Sequence, residues 1–236
     1  SSVPGCAVLR PSPLVPPLHS SPPVPRTVTD RYLPPDHDAF VAAEPPSGRV
    51  IVIAPTRAAC ETIELALGLH LETYLETHHG ARLRELAASG EGFGIIAGTG
   101  TGKTLAIRPI AETILGTEAL KVGVVNRERE ATPETPTWNV IIVTTGIARR
   151  WFQDGDILPH DTLVVDEIHQ TSAELELCLA LGKRVGCRFI WLSATVDPEF
   201  YSTYLDSADV LEVLVEVGAH EDAVLEVLDA DLLCHR

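Results

Sequence analysis

Six short runs of β-branched and other apolar residues punctuate the 236-residue chain: Arg49–Ala54, Phe93–Ala97, Lys121–Val125, Asn139–Thr144, Thr162–Asp166 and Arg188–Ser193. Each is apolar almost throughout rather than alternating, which suits strands buried on both faces. Stretches with helical spacing lie between most of them: Arg57–Leu69, Glu72–Ala88, Lys103–Leu115 and Thr171–Val185. Strand–helix alternation of this kind predicts an α/β fold, a mostly parallel sheet with helices on both faces. Right-handed crossovers then bring the strand C-termini to one edge, where such sheets bind their ligands. There is no internal repeat.

The alternating region begins near Gly48, and residues 1–47 have a different texture. Twelve of the 18 prolines fall before Gly48. Proline fixes φ and removes a backbone donor, so this stretch is expected to be a Pro-rich extended arm or linker. Residues 48–205 are expected to be the folded domain, and residues 206–236 an acidic C-terminal segment. The net charge is −15, and the last 32 residues, Leu205–Arg236, carry nine carboxylates against one Arg. So acidic a chain does not bind nucleic acid through a broad basic face, although a small local track remains open to it. The apolar and acidic alternation from Asp206 to Asp231 reads as a last edge strand plus a helix, or as a docking surface.

The sharpest segment is Phe93-Gly94-Ile95-Ile96-Ala97-Gly98-Thr99-Gly100-Thr101-Gly102-Lys103-Thr104. A strand runs into a Gly-rich turn and then into a helix starting near Lys103, which is the context of a phosphate-binding P-loop. The glycines let successive N–H groups converge on one anion, and the helix N-terminus adds unpaired donors. Gly98, Thr99, Gly100, Thr101, Gly102, Lys103 and Thr104 are therefore the candidate nucleotide-binding residues. Lys103 is expected to reach the β- and γ-phosphates and Thr104 to offer its hydroxyl to Mg²⁺. Ala97 stands where the strict pattern has Gly.

A second apolar strand ends in Asp166-Glu167-Ile168-His169. On a strand C-terminus beside the phosphate loop, Asp166 would hold Mg²⁺, and Glu167 would orient and help deprotonate an attacking water. The plainer alternative is a strand end capped by solvated acids. A third strand, Arg188–Ser193, runs on into Ala194-Thr195, and Ser193 and Thr195 could hydrogen-bond across to a neighbouring element.

Taken in order, AGTGTGKT, DEIH and LSAT resemble the first RecA-like domain of a superfamily 2 helicase. Asp166-Glu-Ile-His-Gln-Thr-Ser172, and Leu192-Ser-Ala-Thr-Val-Asp197 with Phe200 and Tyr204 after it, are most similar to the DEAH/DExH group. Val140–Arg150 resembles that group's motif Ib. The resemblance covers about residues 90–205. It implies a RecA-like P-loop NTPase that uses ATP and Mg²⁺, with Lys103, Asp166 and Glu167 as catalytic residues. It further implies that His169, Ser193 and Thr195 couple hydrolysis to strand movement, and that Thr145, Gly146 and Arg150 contact a single strand of RNA or DNA. Such contacts use donors and a few cations rather than a broad basic face.

The chain departs from the family in two ways. An apolar strand followed by Pro55-Thr56-Arg57 has the pattern of motif Ia, yet it precedes the P-loop, whereas the family's motif follows it. Either Arg49–Ala54 is an extra N-terminal strand whose Pro-Thr-Arg is a coincidence, the reading favoured by Lys121–Val125 occupying the later position, or the strand order is rearranged and Thr56 and Arg57 make the motif Ia contacts. The second departure concerns the second RecA-like domain that such helicases close around ATP. A domain of ~150 residues does not fit after Thr195, so that partner is expected to be absent from this chain and needed for full activity. A P-loop ATPase acting on a protein partner and a non-catalytic scaffold are the rival readings.

The remaining features are bland. Cys6, Cys60, Cys178, Cys187 and Cys234 form no CxxC pair, which argues against a disulfide framework or a zinc site and for reduced thiols in a cytoplasmic setting. His78 and His79 lack metal-ligand spacing, and Trp138, Trp151 and Trp191 are expected to pack in the core or at its rim. No apolar run reaches the ~18 residues a bilayer span needs, so no membrane role is expected. The chain opens on Ser1 and holds no Met, as expected of a processed product or a fragment.

Overall fold

The computed structural model of the chain describes residues 48–129 and 135–213. Seven strands, β1 (Val50–Ala54), β2 (Gly92–Ala97), β3 (Val122–Val125), β4 (Val140–Thr144), β5 (Thr162–Val165), β6 (Arg188–Ser193) and β7 (Ser207–Val213), make one sheet in the order β3-β4-β1-β5-β6-β2-β7. Every neighbouring pair is parallel. The helices are α1 (Arg57–Gly68), α2 (Tyr74–Ala88), α3 (Lys103–Leu115), α4 (Thr145–Asp154), α5 (Ala173–Val185) and α6 (Pro198–Tyr204). This is the expected α/β architecture. The Pro-rich arm lies outside the described residues.

The period-2 geometry of a strand explains why the strands read as unbroken apolar runs. Along β1, Val50, Val52 and Ala54 join a core shared with Ile63 and Leu67 of α1, Leu75 and Leu83 of α2, and Ile107 and Ile110 of α3. Ile51 and Ile53 point the other way, into a core with Ile147 and Trp151 of α4 and Leu175 and Leu179 of α5. Side-chain caps set the helix starts: Thr56, Thr73, Ser172 and Asp197 accept backbone N–H groups at the first turns of α1, α2, α5 and α6. The guanidinium of Arg188 donates to Leu86 O and Ala87 O at the end of α2 and to Glu91 O, satisfying carbonyls the helix leaves open.

The strand expected over Arg49–Ala54 forms, and it lies inside the sheet. β1 sits in the sheet interior between β4 and β5, and β3 takes the outer edge. The physical reason is burial. All five residues of β1 are at most 1% exposed, whereas an edge strand leaves one row of backbone groups unpaired. The sheet also continues past residue 205, because Ser207–Val213 pairs with β2 as its last strand. The rest of the expected C-terminal helix lies outside the described residues. Sequence spacing missed α4 and the short α6.

One buried ion pair pins two strand starts. Asp161, 0% exposed, accepts from Arg49 Nε (3.1 Å), Arg49 Nη2 (2.7 Å), Arg49 N (3.2 Å) and Leu158 N (2.9 Å). Arg49 precedes β1 and Asp161 precedes β5. Removing one partner strands a buried charge, so Asp161→Ala is expected to cost about 3–5 kcal/mol in a denaturant-unfolding measurement. An unchanged midpoint and slope would show that the pair adds nothing to the fold.

Candidate functional site

The C-terminal edge of the sheet collects most of the residues singled out in the sequence. β2 delivers the Gly-rich loop, β6 delivers Ser193 and β5 delivers the acids, with β6 lying between the other two. Gly100 and Gly102 have φ of 84° and 94°, in the left-handed region where a Cβ is disfavoured. A Cβ on Gly102 would also lie 2.4 Å from Thr73 Cβ. The loop closes on itself through Thr101 Oγ1, which donates to Gly98 O at 2.8 Å. Lys103 begins α3, is buried, and folds back so that Nζ donates to Ala97 O (2.7 Å) and Gly98 O (3.2 Å).

Across the crevice, Thr104 Oγ1 donates to Asp166 Oδ2 at 3.3 Å. Asp166 Oδ1 accepts the N–H of Glu167 at 3.0 Å. Burial, followed by the neighbouring Glu167 charge, pushes the Asp166 carboxyl up to about 6, against the pull of Thr104, the Glu167 N–H and Lys103. Glu167 holds φ of 52°, an uncommon conformation for a residue with a side chain. Its Oε2 lies 3.2 Å from His169 Nε2, and His169 Nδ1 lies 3.0 Å from Ser193 Oγ. Hydrogen bonding therefore links the β5 turn to the end of β6. Thr195 is exposed just beyond.

The donor chemistry fits a hard divalent cation. A buried carboxylate held up by desolvation sits beside a hydroxyl, and both are oxygen ligands of the kind Mg²⁺ takes. Among the described residues no group of three or more His, Cys, Asp or Glu side chains could hold a metal ion. A cation at Thr104 and Asp166 therefore needs phosphate oxygens and water to complete its shell, the usual arrangement for Mg²⁺ at phosphate sites.

The residues expected to meet a nucleic-acid strand lie on the far side of β5. Ala54 of β1 is in register with Thr144 of β4, so α1 and α4 follow neighbouring strand ends at the same edge, α1 over one face of the sheet and α4 over the other. Thr56 and Arg57 are exposed there. Thr56 Oγ1 accepts from Ala59 N at 3.1 Å, and Arg57 is ion-paired with Glu128. Arg150 is exposed on α4 and Gly146 half-buried, but Thr145 is buried, with Oγ1 donating to Glu174 Oε2 at 3.2 Å. Sequence reading missed Glu174 and missed the contact of the α2 start with the loop, where Leu75 N donates to Thr101 O at 3.1 Å. The pattern Thr73-x-x-Glu76 marks a capping box and so the helix start, but nothing in one dimension places it against Gly102.

No protein-family model matches the chain. Over 106 residues it is 33% identical to the human ATP-dependent RNA helicase DHX29, covering 39% of this chain and 8% of that protein. Over 66 residues it is 33% identical to the ATP-dependent RNA helicase HrpA of Escherichia coli strain K12, covering 26% of this chain and 5% of that protein. The chain thus spans less than a tenth of either relative's length. Among solved structures, the UvsW helicase of bacteriophage T4 aligns with a TM-score of 0.32 and 15% identity, over 70% of this chain and 54% of that one. No helix among the described residues is long and apolar enough to cross a membrane.

Proposed function

From the premise that this chain carries a RecA-like domain of the superfamily 2 helicase kind, similar to DEAH-box helicases, we propose that it binds ATP with Mg²⁺ and hydrolyses it. The observation that carries the proposal is the continuous link from Thr104 through Asp166 and Glu167 to His169 and Ser193, on the edge that also bears the phosphate loop.

The loop from Gly98 to Thr104 holds the triphosphate through its backbone N–H groups. Lys103 exchanges its two loop carbonyls for β- and γ-phosphate oxygens. Thr104 and Asp166 would hold the Mg²⁺. When bound, the ion neutralises charge that develops on the phosphate oxygens. Glu167 orients the attacking water and accepts its proton, while the water oxygen bonds the γ-phosphorus and the ADP oxygen leaves. His169 fixes the Glu167 carboxylate, and Ser193 fixes the imidazole. With Thr195 at the end of the same strand, this group links the state of the nucleotide to neighbouring elements.

The partner in this reading is a single strand of RNA or DNA, running along the sheet edge where β1 and β4 end. Thr56, Arg57, Thr145, Gly146 and Arg150 line that track, with Thr56 and Arg57 acting from a strand that is first in sequence among the described residues and third in the sheet. A second RecA-like domain, supplied from outside these residues, is needed for full activity. Salt-dependent binding of a fluorescent single strand tests the track. Arg150→Ala is expected to weaken binding and to flatten the log–log salt slope by about 0.7, the single-strand value for one phosphate left unneutralised. An unchanged slope places the strand elsewhere. The function as a whole is tested by phosphate release with and without single-stranded RNA. Stimulation supports it, and absence of any release contradicts it.

A further inference from the structure

We propose that the carboxylate of Glu174 stands in the place of a strand phosphate at the start of α4, and so holds down the affinity of the nucleic-acid track. The inference rests on the strand reading above and adds to it a residue of this chain that competes with the ligand.

The first turn of α4 brings no negative group of its own. Its N-cap, Thr144, makes no side-chain capping bond, and no acid lies in the turn. The N–H groups of a first turn have no partner within their helix and carry the positive end of its dipole. The acid beside them comes from the neighbouring helix. Glu174 Oε2 accepts from Thr145 Oγ1 at 3.2 Å, and a Cβ placed on Gly146 would lie 3.7 Å and 3.8 Å from the two Glu174 carboxylate oxygens. Glu174 also belongs to the first turn of α5, which Ser172 caps. Its carboxylate therefore sits where two helix starts converge, and both favour negative charge.

Packing holds that carboxylate in position. Cys178, one turn further along α5, is buried, and its Sγ donates to Thr145 O at 3.3 Å. Residues four apart share a helix face, so Cys178 fixes the face that carries Glu174 against the first residue of α4. Thr145 is itself buried and its hydroxyl is engaged by the acid. Glu174 is exposed, so its side chain can turn out into water and leave that hydroxyl to a phosphate oxygen. A strand on Thr145, Gly146 and Arg150 must displace the carboxylate or lie against its charge. Either way part of the binding free energy is lost, because like charges repel and the displaced acid gives up its place at the helix ends.

The test is binding of a fluorescent single-stranded RNA to the full chain over a range of salt. Glu174→Gln is expected to bind the strand about two- to fivefold tighter than the wild-type protein, the range of one charge at an exposed helix end. Glu174→Lys sets a cation beside the same phosphate, and is expected to bind tighter still and to steepen the log–log salt slope by about 0.7, the single-strand value for one more phosphate neutralised. A residue that only steadied α4 would not move that slope. Glu176→Gln and Glu176→Lys make the same charge changes two residues along α5, at an exposed position on another face of the helix, and are expected to leave affinity and slope unchanged. Unaltered or weaker binding in the Glu174 variants, or equal gains in the Glu176 variants, would overturn the competition, while a loss in Arg150→Ala in the same assay would leave the track standing. If neither the wild-type protein nor any variant binds the strand, the strand reading fails and this inference with it.

Discussion

Lys103→Ala is expected to lower the affinity for ATP at least about a hundredfold, or about 2.8 kcal/mol, with the fold retained. Lys103 is the buried cation of the loop, and its ammonium donates to Ala97 O and Gly98 O. Those carbonyls take water in its place, so the loss to stability is modest. The loss to binding is expected to be larger, because in the proposed complex a full charge facing the β- and γ-phosphates would have no substitute among the backbone N–H groups. Calorimetric titration of ATP reads the first effect and denaturant unfolding the second. An affinity within twofold of the wild-type value would mean that the loop does not carry the phosphates.

Glu167→Gln is expected to keep nucleotide binding and to reduce phosphate release by about 10²–10⁴-fold, the usual contribution of a positioned general base. The side chains are nearly isosteric, and both must adopt φ of 52° at this position, so the substitution adds no backbone strain. What changes is the ability to accept a proton and the charge facing His169, 3.2 Å away. Removing the negative charge also lightens one of the two burdens on Asp166, so Mg²⁺-dependent binding is expected to hold. Phosphate release at the wild-type rate in this variant would remove Glu167 from the chemistry.

Strand and helix identity was legible because the pattern is local. The runs at residues 93–97 and 188–193 appear in the structure as strands almost to the residue, and Lys103–Leu115 has the predicted bounds. Strand order was not legible. The spacing of Val50–Ala54 signals a doubly buried strand but not its neighbours, and only the packed sheet shows it between β4 and β5. α4 escaped notice because Thr145 and Gly146 are poor helix formers at its start, and its apolar stripe is short: Ile147, Ala148 and Trp151. At the site, the loop and the acid pair could be read as motifs, because their chemistry follows from neighbours in sequence. The Thr145–Glu174 bond and the seat of Thr73 on Gly102 join residues 29 apart in sequence in the first case and on separate elements in the second. Neither leaves a periodic trace.

The central claim is that a triphosphate sits on residues 98–104 with its cation shared by Thr104 and Asp166. A crystal structure of the chain with a non-hydrolysable ATP analogue and Mg²⁺ tests it most directly. The expected result is Lys103 Nζ released from Ala97 O and Gly98 O onto phosphate oxygens, with Thr104 and Asp166 on the ion and Glu167 facing the terminal phosphate. Analogue bound away from the loop, with Lys103 still on those two carbonyls, would contradict it.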